Sequence, residues 1–203
     1  MNTALRRPLV PLALAATLLL TGCSTGAPAQ FEESAAPQGT TQSAGSKDDA
    51  EDSAEQSAAA AGMDLADLDE PIATSTIPAT VEGDPEATMD VALYTLRRDG
   101  QTLVMNGSFR VNSEDGQEDE RWIYHYLGSN GWAPHLIDGV NLTRYDVLGS
   151  GGTRAMTRDQ GSKFRPGQTF YVYAAFAAPP AGVETINVQL VDGAPMIVDV
   201  PIR

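Results

Sequence analysis

Between Thr102 and Val111 the sequence alternates strictly. Leu103, Met105, Gly107, Phe109 and Val111 share one parity, and Thr102, Val104, Asn106, Ser108 and Arg110 share the other. A period of two fits an extended strand, whose successive side chains leave on opposite faces. One face is expected in a core and the other mostly in water. Asp99-Gly100 stands just upstream, a dipeptide that tolerates the positive φ of a tight hairpin. The segment before it, Met89–Leu96, has apolar residues on both parities (Val91 and Leu93; Ala92, Tyr94 and Leu96), which predicts a strand covered on both sides.

The same pattern recurs downstream. Leu136–Val147 reads as a short strand bent at Gly139. Thr169–Ala177 places Phe170, Val172, Ala174 and Phe176 opposite Tyr171 and Tyr173, and Pro179-Pro180 ends it. Ile186, Val188 and Leu190 alternate, as do Met196, Val198, Val200 and Ile202, with the turn candidate Asp192-Gly193 between them. Short strands at regular spacing, with no convincing amphipathic helix, predict an all-β fold: an immunoglobulin-like antiparallel β-sandwich over residues 88–203. Those 116 residues are close to the common size of one domain.

Upstream of residue 88 the composition changes. Residues 24–87 hold 14 acidic side chains and one Lys (Lys47), whereas residues 88–203 hold 13 acidic and 10 basic ones. Low hydrophobicity with high net charge buries too little apolar surface to offset ordering entropy, so residues 23–87 are expected to be a disordered acidic linker. Such a tether spans roughly 45 Å in root-mean-square terms. A transient helix over Ala58–Glu70 is the one local structure expected in it.

The first 22 residues read as an export signal: Arg6 and Arg7, an apolar run from Leu9 to Leu20, then Thr21-Gly22. The run is shorter than the roughly 20 residues of a permanent membrane helix. Leu20-Thr21-Gly22-Cys23 resembles the lipobox of bacterial lipoproteins, which implies cleavage after Gly22 and a lipid on Cys23, the sole cysteine. Two acyl chains, at about 0.8 kcal/mol per buried methylene, hold a protein firmly to a membrane. The expected location is the extracytoplasmic face of the cell membrane, with the membrane itself a partner through the lipid.

A second resemblance rests on Ile137-Asp138, Asn141-Leu142, Tyr145, Arg165-Pro166-Gly167-Gln168, Ala177-Ala178-Pro179-Pro180 and Asp199-Val200-Pro201-Ile202. These turns resemble those of immunoglobulin-like domains in actinobacterial envelope lipoproteins, in the style of small secreted immunoprotective antigens. The resemblance implies export and surface display, and offers no catalytic residues.

Residues able to carry chemistry are few. His125 and His135 are the only histidines and show no metal-ligand spacing. Gly149-Ser150-Gly151-Gly152 lacks a triad pattern and a phosphate-cradle ending. The acidic loop Glu114–Glu120 misses the spacing of a calcium loop. No enzyme activity, metal or cofactor is therefore expected. The interaction candidates are aromatic residues, Trp122, Tyr124, Tyr126 and Trp132, which serve equally as core or as binding anchors, and basic residues, Arg154, Arg158, Lys163 and Arg165, which suit an anionic wall polymer. A net charge of −3 over residues 88–203 argues against nucleic acid. The expected function is display of a non-enzymatic domain for an unidentified envelope protein or wall component. The alternative is an accessory or solute-binding lipoprotein that presents a small ligand or metal through a loop pocket.

Overall fold

Two long strands, β2 (Thr88–Asp99) and β3 (Thr102–Asn112), form the hairpin expected around Asp99-Gly100, with Gly100 at φ 59°. The structure is a computed structural model that describes residues 47–203. Pairing runs Leu93↔Gly107 and then Thr95↔Asn106, so Tyr94 is the extra residue of a β-bulge. A bulge shifts the parity of everything after it. Met89, Val91 and Leu93 before it and Leu96 after it therefore reach the same core.

The first sheet has the order β1-β2-β3-β10, with β1 at Ala73–Pro78 and β10 at Thr169–Ala177. The second has the order β12-β11-β5-β6, formed by Ile197–Pro201, Thr185–Gln189, His135–Asp138 and Thr143–Asp146. Every pairing is antiparallel. Two short pairs complete the strands: β4 (Arg121–Trp122) with β9 (Lys163–Phe164), and β7 (Gly149–Ser150) with β8 (Thr153–Arg154). The chain crosses between the two large sheets after β3, after β6 and after β10. The core joins Leu103, Phe109, Val172 and Phe176 of one sheet to Leu136, Ile186, Val188 and Val200 of the other. Each such side chain contributes on the order of 1.5–3 kcal/mol by leaving water.

The boundary expected at residue 88 moves upstream. Strand β1 pairs along β2 from Ala73↔Leu93 to Pro78↔Thr88, and a helix, α1, spans Lys47–Ala60. Residues 47–87 thus take part in the fold instead of forming a linker. The cause is packing that composition hides: Ser57, Ala58 and Ala61 are small enough to bury against β10, and the Tyr171 amide donates to Ser57 Oγ at 3.1 Å. The helix ends where one was expected to begin. Gly62 takes φ 70°, its amide donates to Ala59 O, and the Met63 amide donates to Ala58 O, which closes the last turn.

This helix also corrects the polar face of β3. Asn106 and Ser108 are buried, not in water, and Asn106 Nδ2 donates to Ala61 O at 2.8 Å. The Leu20-Thr21-Gly22-Cys23 motif, the export signal and the remainder of the acidic segment up to residue 46 lie outside the described residues.

The free edge of β10 is covered. Thr157 exchanges hydrogen bonds with Tyr173, the Ala175 amide donates to Ala155 O, and the Leu148 amide donates to Ala175 O. Unpaired edge groups template aggregation, and here the loop that blunts the edge also builds one wall of a cleft.

A candidate binding cleft

The aromatic segment folds as a helical turn. Ile123–Leu127 forms a short helix, α2, so Ile123, Tyr126 and Leu127 face the core while Tyr124 is 50% exposed. Helical spacing of three and four, not two, decides which residues share a face. The Tyr126 hydroxyl donates to Phe164 O at 2.8 Å, and burial pushes its pKa up to about 12. Trp132 is 5% exposed, packs edge-on to Phe109 and donates from Nε1 to Thr157 O at 2.7 Å. Tyr126 and Trp132 are thus both core residues, and Trp132 in addition borders the cleft described below. Trp122 is half-buried, stacks on His125 at 5.3 Å between centroids and carries Lys163 Nζ 5.5 Å from its ring.

Trp132 ties this core to the loop after β8. With Thr157 held by both Trp132 and Tyr173, the following residues Arg158–Ser162 arch away from the sheet, and the Tyr124 amide fixes the far side by donating to Asp159 O at 3.1 Å. Between this arch, the β7–β8 turn and the end of α1 lies a cleft of about 670 Å³. Arg154, Arg158, Asp159 and Tyr173 line it, with Trp132, Thr157 and Ala60 among its walls.

Of the eight expected surface residues, the structure therefore brings Trp132, Arg154 and Arg158 to one cleft. Lys163 lies instead over Trp122, and Arg165 pairs with Glu120 at 3.3 Å. Tyr173, Asp159 and Ala60 were missed. Tyr173 carried a legible signal, as an aromatic residue on the outward parity of β10; Ala60 carried none, because it falls in the segment expected to be linker.

A second, smaller cavity of about 160 Å³ lies among Thr80, Glu82, Asp119, Arg121 and His125. Its one guanidinium is already engaged, since Arg121 pairs with Asp119 at 3.3 Å and approaches Glu82 at 4.0 Å. Part of the acidic loop is engaged as well: Asp119 meets Arg121 and Glu120 meets Arg165. Among the described residues no group of three or more His, Cys, Asp or Glu side chains is placed to hold a metal ion, and no helix is long and apolar enough to cross a membrane. No protein-family description matches the chain, and no curated protein or solved structure shows significant similarity to it.

Proposed function

We propose that this chain is a lipid-anchored envelope protein that displays a non-enzymatic, immunoglobulin-like binding domain at the extracytoplasmic face of the cell membrane. The anchor reading rests on Arg6 and Arg7, the apolar run Leu9–Leu20 and the Leu20-Thr21-Gly22-Cys23 motif. The immunoglobulin-like reading rests on strand order. With β1 set aside, the other seven strands of the two large sheets fall into a first-second-fifth sheet and a fourth-third-sixth-seventh sheet. This order supports the reading, since immunoglobulin-type sandwiches likewise put the first, second and fifth strands in one sheet and the third, sixth and seventh in the other.

The binding reading is carried by one observation: a cleft whose floor is pinned by Trp132 and Thr157 and whose rim presents Arg154 and Arg158. Fixed supports with projecting polar groups are the build of a recognition site. Crosslinking mass spectrometry on intact cells, through the amine of Lys163, the residue that follows the cleft residue Ser162 in the chain, is the test, with a Cys23→Ala strain as control. Specific adducts lost in the control support display of a binding domain; adducts indifferent to Cys23, or none, count against it.

One observation favours the second reading, a small ligand in a loop pocket. The cleft volume falls within the roughly 300–1,000 Å³ of small-molecule sites.

A further inference from the structure

We propose that the cleft takes an acidic saccharide, a sugar bearing a carboxylate or phosphate, with Arg154 and Arg158 holding the acidic group. The inference rests on the reading of this cleft as the binding site. Its first support is a contrast among arginines. Arg121, Arg144, Arg165 and Arg203 each pair with a carboxylate, and Arg98 donates to Pro179 O. Among the described residues Arg97, Arg110, Arg154 and Arg158 have no such partner, and of these four Arg154 and Arg158 alone line the cleft, in a segment where acids outnumber bases 25 to 11. Residues 154–165 reverse that balance with four basic side chains and one acidic. Guanidinium groups left without a carboxylate on one concave wall present forked donors to an incoming oxyanion.

The rest of the wall selects a sugar. Tyr173 offers a half-buried ring, a flat apolar face with a hydroxyl at its edge. Asp159 also faces the cleft, and a carboxylate there accepts hydrogen bonds from hydroxyls while repelling a continuous row of negative charges. A chain that alternates acid groups with hydroxyls satisfies both signs; a run of acidic amino acids does not. The helix end reaches the cleft at Ala60. Of its last carbonyls, Ala58 O, Ala59 O and Ala61 O already accept from Met63, Gly62 and Asn106.

Isothermal titration of the full chain in detergent tests this against four probes: a uronate-containing tetrasaccharide, glucose 6-phosphate, a neutral tetrasaccharide and tetraglutamate. Binding of at least one acidic sugar is expected, and the first two probes tell carboxylate from phosphate. The neutral sugar and tetraglutamate are expected to bind at least about tenfold more weakly, since charge-assisted bidentate hydrogen bonds are the strong ones. The double variant Arg154→Gln, Arg158→Gln is expected to lose a similar factor while melting at the same temperature. Equal binding of the neutral sugar, equal or better binding of tetraglutamate, silence toward both acidic sugars, or an unaffected double variant each overturns the proposal. Silence here, combined with Lys163 adducts to a protein in cells, removes the saccharide and leaves the binding domain standing.

Discussion

The indole N–H of Trp132 donates to the carbonyl of Thr157 at 2.7 Å, from a ring that is itself packed edge-on against Phe109 in the sandwich core. One hydrogen bond thus couples the interior to the arch that carries Arg158. Trp132→Phe keeps most of the apolar volume and removes the donor, leaving the Thr157 carbonyl with one partner fewer. A loss of about 1–3 kcal/mol is expected. Urea denaturation measures it, and amide exchange should quicken across Thr157–Gly161 before it does in β3. Uniform exchange would mean that the arch is held by other contacts.

Asn106 occupies a buried position on the outer face of the first sheet, where its amide reaches Ala61 O and its carbonyl accepts from Thr95 Oγ1 at 3.0 Å. Asn106→Ala strips both bonds. We expect about 1–3 kcal/mol of destabilisation, with loosening of α1 ahead of global unfolding. Limited proteolysis between residues 51 and 61 reads this directly: early cleavage in the variant is expected, and identical digestion patterns would show that α1 is held by Ser57 and Ala58 alone.

Gly107 stands opposite Leu93, beside the bulge at Tyr94. A Cβ built there would lie 2.7 Å from the Ala92 carbonyl oxygen, a backbone atom that cannot rotate away. Gly107→Ala should therefore cost about 1–3 kcal/mol by overpacking, against the usual benefit of replacing glycine in a strand. Thermal melting checks the sign; a rise in melting temperature contradicts the described register.

Asp138 closes the β5–β6 turn. Its carboxylate accepts from Asn141 Nδ2 at 2.7 Å and from the amides of Asn141 and Val140 at 2.9 and 3.0 Å. The Asn141 side-chain bond foremost, and then these amides, hold its pKa below the ordinary 3.8. A group lowered by folding adds stability above its unfolded pKa and loses it as pH falls through the folded value. Wild type should therefore out-melt Asp138→Asn at neutral pH, with the gap closing below about pH 4. A gap that stays constant into acid would show that the ionised form is not what matters.

The large strands were legible because their signal is local. Alternation in residues 102–111, 169–177 and 185–190 needs only a pleat with one buried face. The bulge at Tyr94 was half-legible: the double parity of Met89–Leu96 announced that something covered both sides, but not that a shifted register did part of the covering. Two features escaped. Alpha-helical α2 hides in a run of aromatic and β-branched residues whose propensity favours strands, and tertiary packing of Ile123 and Tyr126 overrides it. Helix α1 hides in a segment with the composition of a linker, because alanine and serine gain their stability from close approach to β10, which composition does not register. The cleft inherits both gaps. Its arginines were visible as a basic stretch, whereas its assembly depends on the edge of β10 and on the helix end.

Binding through this cleft is open to site-specific photocrosslinking in intact cells, with the reactive side chain placed at Ser162 on the cleft wall or at Gln101 in the β2–β3 turn, both exposed. A discrete adduct is expected from Ser162, removed in the Arg154→Gln, Arg158→Gln background, and none is expected from Gln101. Adducts from Gln101 alone, or equal and arginine-independent adducts from both, would contradict binding through this cleft.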